Sequence, residues 1–174
     1  MPSVAELMEQ HFSDDHGTVD VKAVLNALED VGVSRAPALI DLLDDPAQRR
    51  WRLSAVDGLR ALAARNECTM DQARKLLAAT ELVALEQGLE EYLKTFNALV
   101  SSTECAPSLL EFIRSHAQLS EDDRWLSFYA AGLLAQRRPS AIPPDLHSLL
   151  ASAAEVEPVT GRRNEYAELL HNLP

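Results

Sequence analysis

Ala36-Pro37-Ala38-Leu39-Ile40-Asp41-Leu42-Leu43 has a counterpart at Ala106-Pro107-Ser108-Leu109-Leu110-Glu111-Phe112-Ile113. Downstream of each, Arg-Trp is followed after six residues by Gly-Leu: Arg50-Trp51 leads to Gly58-Leu59, and Arg124-Trp125 to Gly132-Leu133. The offset is 70 residues at Ala-Pro and 74 at the tryptophans, so the second copy carries four extra residues in between. Self-similarity at such a period points to an architecture of related units.

Outward from this stretch the pattern is helical. Pro37 fits a first turn, where its missing N–H has no partner to lose. Asp44-Asp45-Pro46 ends that helix and opens the next, with Asp45 as N-cap and Pro46 at its first position, and this next helix is expected to run to about Arg65. Upstream, Val21, Val24, Leu25 and Leu28 form one helical face that Gly32 can stop. Ser3-Val4-Ala5-Glu6 has capping-box spacing and starts a short helix, ending near Phe12 before a polar turn over Ser13 to Gly17. Thr69-Met70-Asp71-Gln72 is a second capping box.

From Met70 the helical pattern runs on without Gly or Pro to Gln87, but its phase shifts. Met70, Ala73, Leu76 and Leu77 share one side, while Leu82, Leu85, Leu89, Leu93, Phe96 and Val100 share another, turned by roughly 140°. Either the helix breaks near Ala79-Thr80, with Thr80 capping its successor, or one long helix serves two neighbours. The second copy favours the break, because its equivalent point leads into Glu157-Pro158-Val159-Thr160-Gly161, a loop. There Ser120 caps one helix, Pro139 ends it, and Ile142-Pro143-Pro144 introduces the next. Asn97-Ala98-Leu99 mirrors Asn26-Ala27-Leu28, and Glu165-Tyr166 mirrors Glu91-Tyr92. The expected fold is therefore a single all-α domain, a stack of about nine helices from a tandem four-helix duplication with a period of about 74 residues. Its parts are an N-terminal helix in 1–17, units at 18–80 and 81–157, and a terminal helix at 163–174.

The run from Pro37 to Pro46, followed by Ala55-Val56 and Leu59, resembles a hairpin of the HEAT/armadillo superfamily of helical repeats: an apolar first helix, an acidic-Pro turn, and a second helix rich in Ala and Leu. The resemblance covers 36–66 and, less closely, 106–138, where a longer Ser115 to Asp123 connection replaces Asp-Asp-Pro. It implies an α-solenoid or compact helical stack with an extended face for binding other macromolecules.

Composition narrows the function. The 174 residues are 47% hydrophobic and 25% charged, enough for a sizeable core, with a net charge of −11. No segment is net basic, which argues against a nucleic-acid binder working through phosphates and suits a partner with a basic surface. Cys68 and Cys105 form no CxxC pair and read as reduced thiols. Met1 to Phe12 has no basic or apolar region of signal-peptide type, and no run of about 18 apolar residues occurs, so the expected location is cytoplasmic with no membrane partner.

Candidate site residues come from differences between the copies. Arg49, Arg52 and Arg60 lie along one side of a helix, whereas their counterparts at an offset of 74 are Asp123, Leu126 and Leu134. Copy one thus presents a basic edge, and these three arginines are the expected partner-binding residues. The repeated tryptophans and Gly58 and Gly132 are assigned to packing. No catalytic residue, metal ligand or cofactor is expected: GxSxG, P-loop, GxGxxG and HExxH are all lacking, Glu168-Leu169-Leu170-His171 is a lone ExxH, and His11 to His16 reads as a polar turn. The leading expectation is a non-catalytic protein-binding module. One version is a bacterial immunity or antitoxin-like protein whose acidic face caps a basic nuclease. The competing expectation is a helical-repeat enzyme of DNA glycosylase type, for which only Arg49, Arg50, Arg52, Arg60 and Arg65 approach a basic groove.

Overall fold

A computed structural model describes residues 2–174. They form ten α-helices, one more than expected: α1 (Val4–Gln10), α2 (Val21–Asp30), α3 (Arg35–Asp44), α4 (Arg52–Ala64), α5 (Met70–Gln87), α6 (Glu90–Ser101), α7 (Pro107–His116), α8 (Glu121–Arg137), α9 (Pro144–Glu155) and α10 (Thr160–Asn172). The all-α expectation holds. No helix is long and apolar enough to cross a membrane among the described residues.

Helix starts follow side-chain capping. Both capping boxes are closed reciprocally, Ser3 with Glu6 and Thr69 with Gln72. Asp20 accepts from the Ala23 N–H at 3.0 Å and Ser120 from the Asp123 N–H at 3.1 Å, each satisfying a donor that the first helical turn leaves open. Gly32, at φ +72°, ends α2 as the Val33 N–H reaches back to the Leu28 carbonyl at 2.9 Å.

Three local expectations need correction. First, α5 does not break at Thr80. The Thr80 hydroxyl donates to the Leu76 carbonyl at 2.7 Å within its own helix, so it caps nothing, and the chain turns only at Gly88, with φ +112°. The expected division between residues 80 and 81 thus falls inside α5. Second, Pro46–Trp51 is a 3₁₀ turn with non-helical Gln48, and α4 proper begins at Arg52. Asp45 does cap that turn, accepting from the Ala47 N–H at 2.9 Å. Third, the polar turn after α1 is flanked by a minimal hairpin, in which β1 (Phe12–Ser13) pairs antiparallel with β2 (Thr18–Val19).

Successive helices pack in pairs, α1 on α2 through to α9 on α10. The even-numbered helices from α2 to α10 touch in chain order, as do α1, α3, α5 and α7. Ion pairs continue along the odd-numbered series: Lys75 to Asp44 at 2.6 Å, Arg74 to Glu111 at 2.7 Å, and Arg114 to Asp145 at 3.1 Å. The core between the two layers contains Leu39, Leu59, Leu76, Phe96, Leu99, Leu109, Ile113 and Leu126, all essentially inaccessible. Each such side chain stabilises the fold by roughly 1.5–3 kcal/mol.

The matched dipeptides have unlike surroundings. Trp51 is buried, with its ring 5.8 Å from Phe12 in a T-shaped pair that ties the β hairpin to the α3–α4 corner. Trp125 is only half-buried. A Cβ on Gly58 would sit 2.7 Å from Leu39 Cδ1, so α3 and α4 approach closely there, whereas one on Gly132 would meet Leu169 Cδ1 at an ordinary 3.5 Å. The packing assignment thus fits Gly58 and not Gly132. Both cysteines are buried free thiols, and Cys105 Sγ donates to the Cys68 carbonyl at 3.2 Å. Burial pushes the Cys68 thiol up to about 12.

The two glycines should respond oppositely to substitution. Gly58→Val is expected to lower stability by about 1–3 kcal/mol through overpacking against Leu39. Gly132→Ala should raise it by about 0.5–1 kcal/mol by removing a helix-interior glycine. Urea denaturation of both variants checks the pair of signs.

Candidate partner-binding site

The sequence-predicted arginines separate into two environments. Arg49 lies in the 3₁₀ turn and Arg52 at the start of α4, and both face Glu86 near the end of α5, at 2.5 Å and 4.0 Å. They line a surface cleft of about 470 Å³ with Arg50, Leu53, Val83, Glu86 and Gln87. The hydrogen bond from Arg49, backed by its charge, holds the Glu86 carboxyl below the usual carboxylate range, and Glu86 in turn raises Arg49. Arg50 pairs with Glu9 and places its guanidinium 4.3 Å from the Trp51 ring centre. Solvent-exposed ion pairs of this kind add little stability, so these side chains can exchange partners at small cost.

Arg60 is not at this edge. It is buried where α4, α5 and α6 meet, and all three of its nitrogens are engaged. Nε donates to Thr95 Oγ1 at 3.0 Å, Nη1 to Asp57 Oδ1 and Glu91 Oε2 at 2.8 Å each, and Nη2 to the Glu91 carbonyl at 2.8 Å. The Thr80 proton is spent on Leu76, so the 2.7 Å contact between Thr95 and Thr80 hydroxyls has Thr95 as donor. Lys94 reaches the other Glu91 oxygen at 2.5 Å. Burial alone would raise the Glu91 carboxyl, but hydrogen bonds from Lys94 and Arg60 and their charges outweigh it and hold the group below its ordinary value.

Sequence reasoning missed the apolar part of the surface. Arg52 also lines a narrower cleft between α3 and α5 with Ile40, Leu43, Ala79 and Leu82. Ala78 lines that cleft and a third, between α5 and α7, that includes Leu77, Tyr92, Phe112 and His116. Leu53 and Leu82 are exposed beside the arginines, and Leu85 is 81% exposed. The helical wheel did group Leu82 with Leu85, but it placed them on a packing face. The grooves along α5 thus combine exposed leucines with paired charges. Glu168 and His171 lie on α10, His11 precedes β1, and His16 lies in the turn between β1 and β2. Among the described residues no group of three or more His, Cys, Asp or Glu could hold a metal ion.

No protein-family model, curated protein or solved structure matches the chain.

The buried network predicts acid sensitivity. Because the folded-state pKa of Glu91 lies below its unfolded value, its contribution is complete above about pH 4.5 and is lost as pH falls through the folded value. Glu91→Gln should therefore flatten the stability profile on the acid side. Arg60→Ala should cost about 3–5 kcal/mol at neutral pH, since it leaves Glu91 Oε2 and the Glu91 carbonyl without their donor while only Lys94 stays on Oε1. Denaturation curves between pH 3 and 7 measure both.

Proposed function

We propose that the chain is a non-catalytic protein-binding module, a small HEAT-like helical stack built from an internal duplication. The observation that carries the binding reading is the surface along α5, where Leu53 and Leu82 stand exposed in the clefts that hold Arg49, Arg52 and Glu86. Apolar anchors ringed by charges that can trade partners are what a protein interface needs. The stacking reading draws support from the paired helices and from helix starts at residues 35, 70, 107 and 144 for α3, α5, α7 and α9, close to one hairpin per step.

In this reading the net charge of −11 steers a basic partner towards the chain, and Arg49 and Arg52 make contacts once it has docked. An immunity-like role, with the chain capping a basic nuclease in the bacterial cytoplasm, is the specific version we favour. The DNA glycosylase-type alternative has less support. Its basic groove would draw on Arg49 and Arg50, which face Glu86 and Glu9, and on Arg60, which is buried against Glu91.

Affinity purification from nuclease-treated native lysate, comparing wild type with Arg49→Glu/Arg52→Glu, tests the proposal. The expected result is one stoichiometric protein that is lost from the double variant and protects α5 amides from hydrogen exchange. A partner retained by the variant would move the site elsewhere. Recovery of nucleic acid alone, from untreated lysate, would overturn the binding-module reading.

A further inference from the structure

The two Arg-Trp dipeptides treat their indoles differently. Arg50 covers the Trp51 ring. Arg124 is instead drawn inside, where its Nη1 meets Glu157 Oε2 at 3.1 Å, both side chains being buried. Trp125 is left half-buried with no cation on its ring among the described residues, at the edge of a cleft of about 200 Å³ between α8 and α10. Trp125, Phe128 and Tyr129 enter it from α8 at i, i+3 and i+4, and Glu165, Tyr166 and Leu169 from α10 at i, i+1 and i+4. Trp125 is thus a same-face neighbour of Phe128 and Tyr129, and Leu169 of both Glu165 and Tyr166.

The cleft has the make-up of a cation receptor. Trp125 and Tyr129 lie with ring centres 5.9 Å apart at 34°, and Phe128 and Tyr166 stack at 3.7 Å behind them. Glu165 is the one charged lining residue and is exposed. Arg162, one turn earlier on α10, reaches across to Glu121 at 3.8 Å, and Glu165 enters no ion pair among the described residues. Glu121, Asp122 and Asp123 add negative charge in the turn before Trp125. Aromatic rings attract a cation through their quadrupole, Trp most strongly, and an unpaired carboxylate at the rim adds to that attraction.

Hydrogen bonding selects the type of cation. Besides Glu165, the lining offers two hydroxyls: that of Tyr129 already accepts from Asn97 Nδ2 at 3.4 Å, and that of Tyr166 is buried without a partner and out of reach of a ligand at the rim. A guanidinium brings five N–H donors and a primary ammonium three, most of which would lose water here without replacement. A quaternary ammonium has no N–H to satisfy. We propose that the Trp125–Tyr129–Glu165 cleft is a binding site for a quaternary ammonium group, carried by a small molecule or by a trimethylated lysine side chain. This site lies on α8 and α10, apart from the α5 surface, and does not depend on the partner-binding proposal.

The test is titration of the full chain with choline, its neutral isostere 3,3-dimethylbutan-1-ol, trimethyllysine and lysine, at constant ionic strength, following the Trp125 indole N–H resonance in wild type and Glu165→Gln and the heat of binding by calorimetry in every variant. Choline or trimethyllysine should shift that resonance and bind at least 10-fold more tightly than the isostere or lysine. Glu165→Gln, at an exposed position, should weaken binding several-fold, and Trp125→Ala should abolish it while circular dichroism stays native. Preference for trimethyllysine over choline assigns the cation to a protein side chain, and the reverse assigns it to a free metabolite. Equal binding of the isostere, no shift with any cation, or undiminished binding by folded Trp125→Ala would each overturn the proposal. The wild-type comparison of choline with its isostere decides the matter even if Trp125→Ala does not fold.

Discussion

Arg60 brings a full positive charge into the junction of α4, α5 and α6, and the geometry around it is arranged to receive that charge. Desolvating such an ion costs several kcal/mol before any partner is met. Here Glu91 supplies both a carboxylate and a carbonyl, Asp57 a second carboxylate and Thr95 a hydroxyl, so α4 and α6 must hold their relative positions for the guanidinium to be satisfied. The Thr95–Thr80 contact extends this to α5, whose continuity through Thr80 then follows. The register of α6 against α4 and α5 is thus specified by polar contacts more sharply than leucine packing alone could do.

Much of the fold was legible where one side chain decides a local question. Ser3, Thr69 and Ser120 mark helix starts because their oxygens have nearby N–H groups to accept from, and Gly32 marks an end because its φ is positive. Thr80 was misread because its hydroxyl can cap a new helix or bond back within the existing one, and only tertiary contact with Thr95 chooses. Arg60 was placed with Arg49 and Arg52 by assuming one regular helix from 46 onward. The 3₁₀ turn ending at Trp51 changes the angular step, so phase does not carry from Arg49 to Arg60. The exposed leucines of α5 were visible as a cluster, but periodicity reports that apolar residues share a face, not what covers it.

The unequal fates of Arg50 and Arg124 show how similar dipeptides diverge. Both precede a tryptophan at the start of the second helix of a pair. In one, the tryptophan is buried and the arginine lies over it; in the other, the arginine is buried and the tryptophan remains at the surface. A change of one position in which residue faces the core exchanges their roles. Surface chemistry therefore differs between the two halves even where their letters agree.

The side-chain hydrogen bonds between different helices and turns of this molecule span short stretches of chain: 15 residues for Thr80 and Thr95, 31 for Arg60 to Glu91, and at most 41, for Arg50 to Glu9. Each therefore closes as soon as the following helical hairpin is present, and none waits for the far end of the polypeptide. A chain wired in this way can consolidate in the order it leaves the ribosome, each new pair of helices docking on an already ordered predecessor. The α9–α10 pair, held through Arg124–Glu157 and the Phe128–Tyr166 stack, then docks on an α8 already ordered by the helices before it.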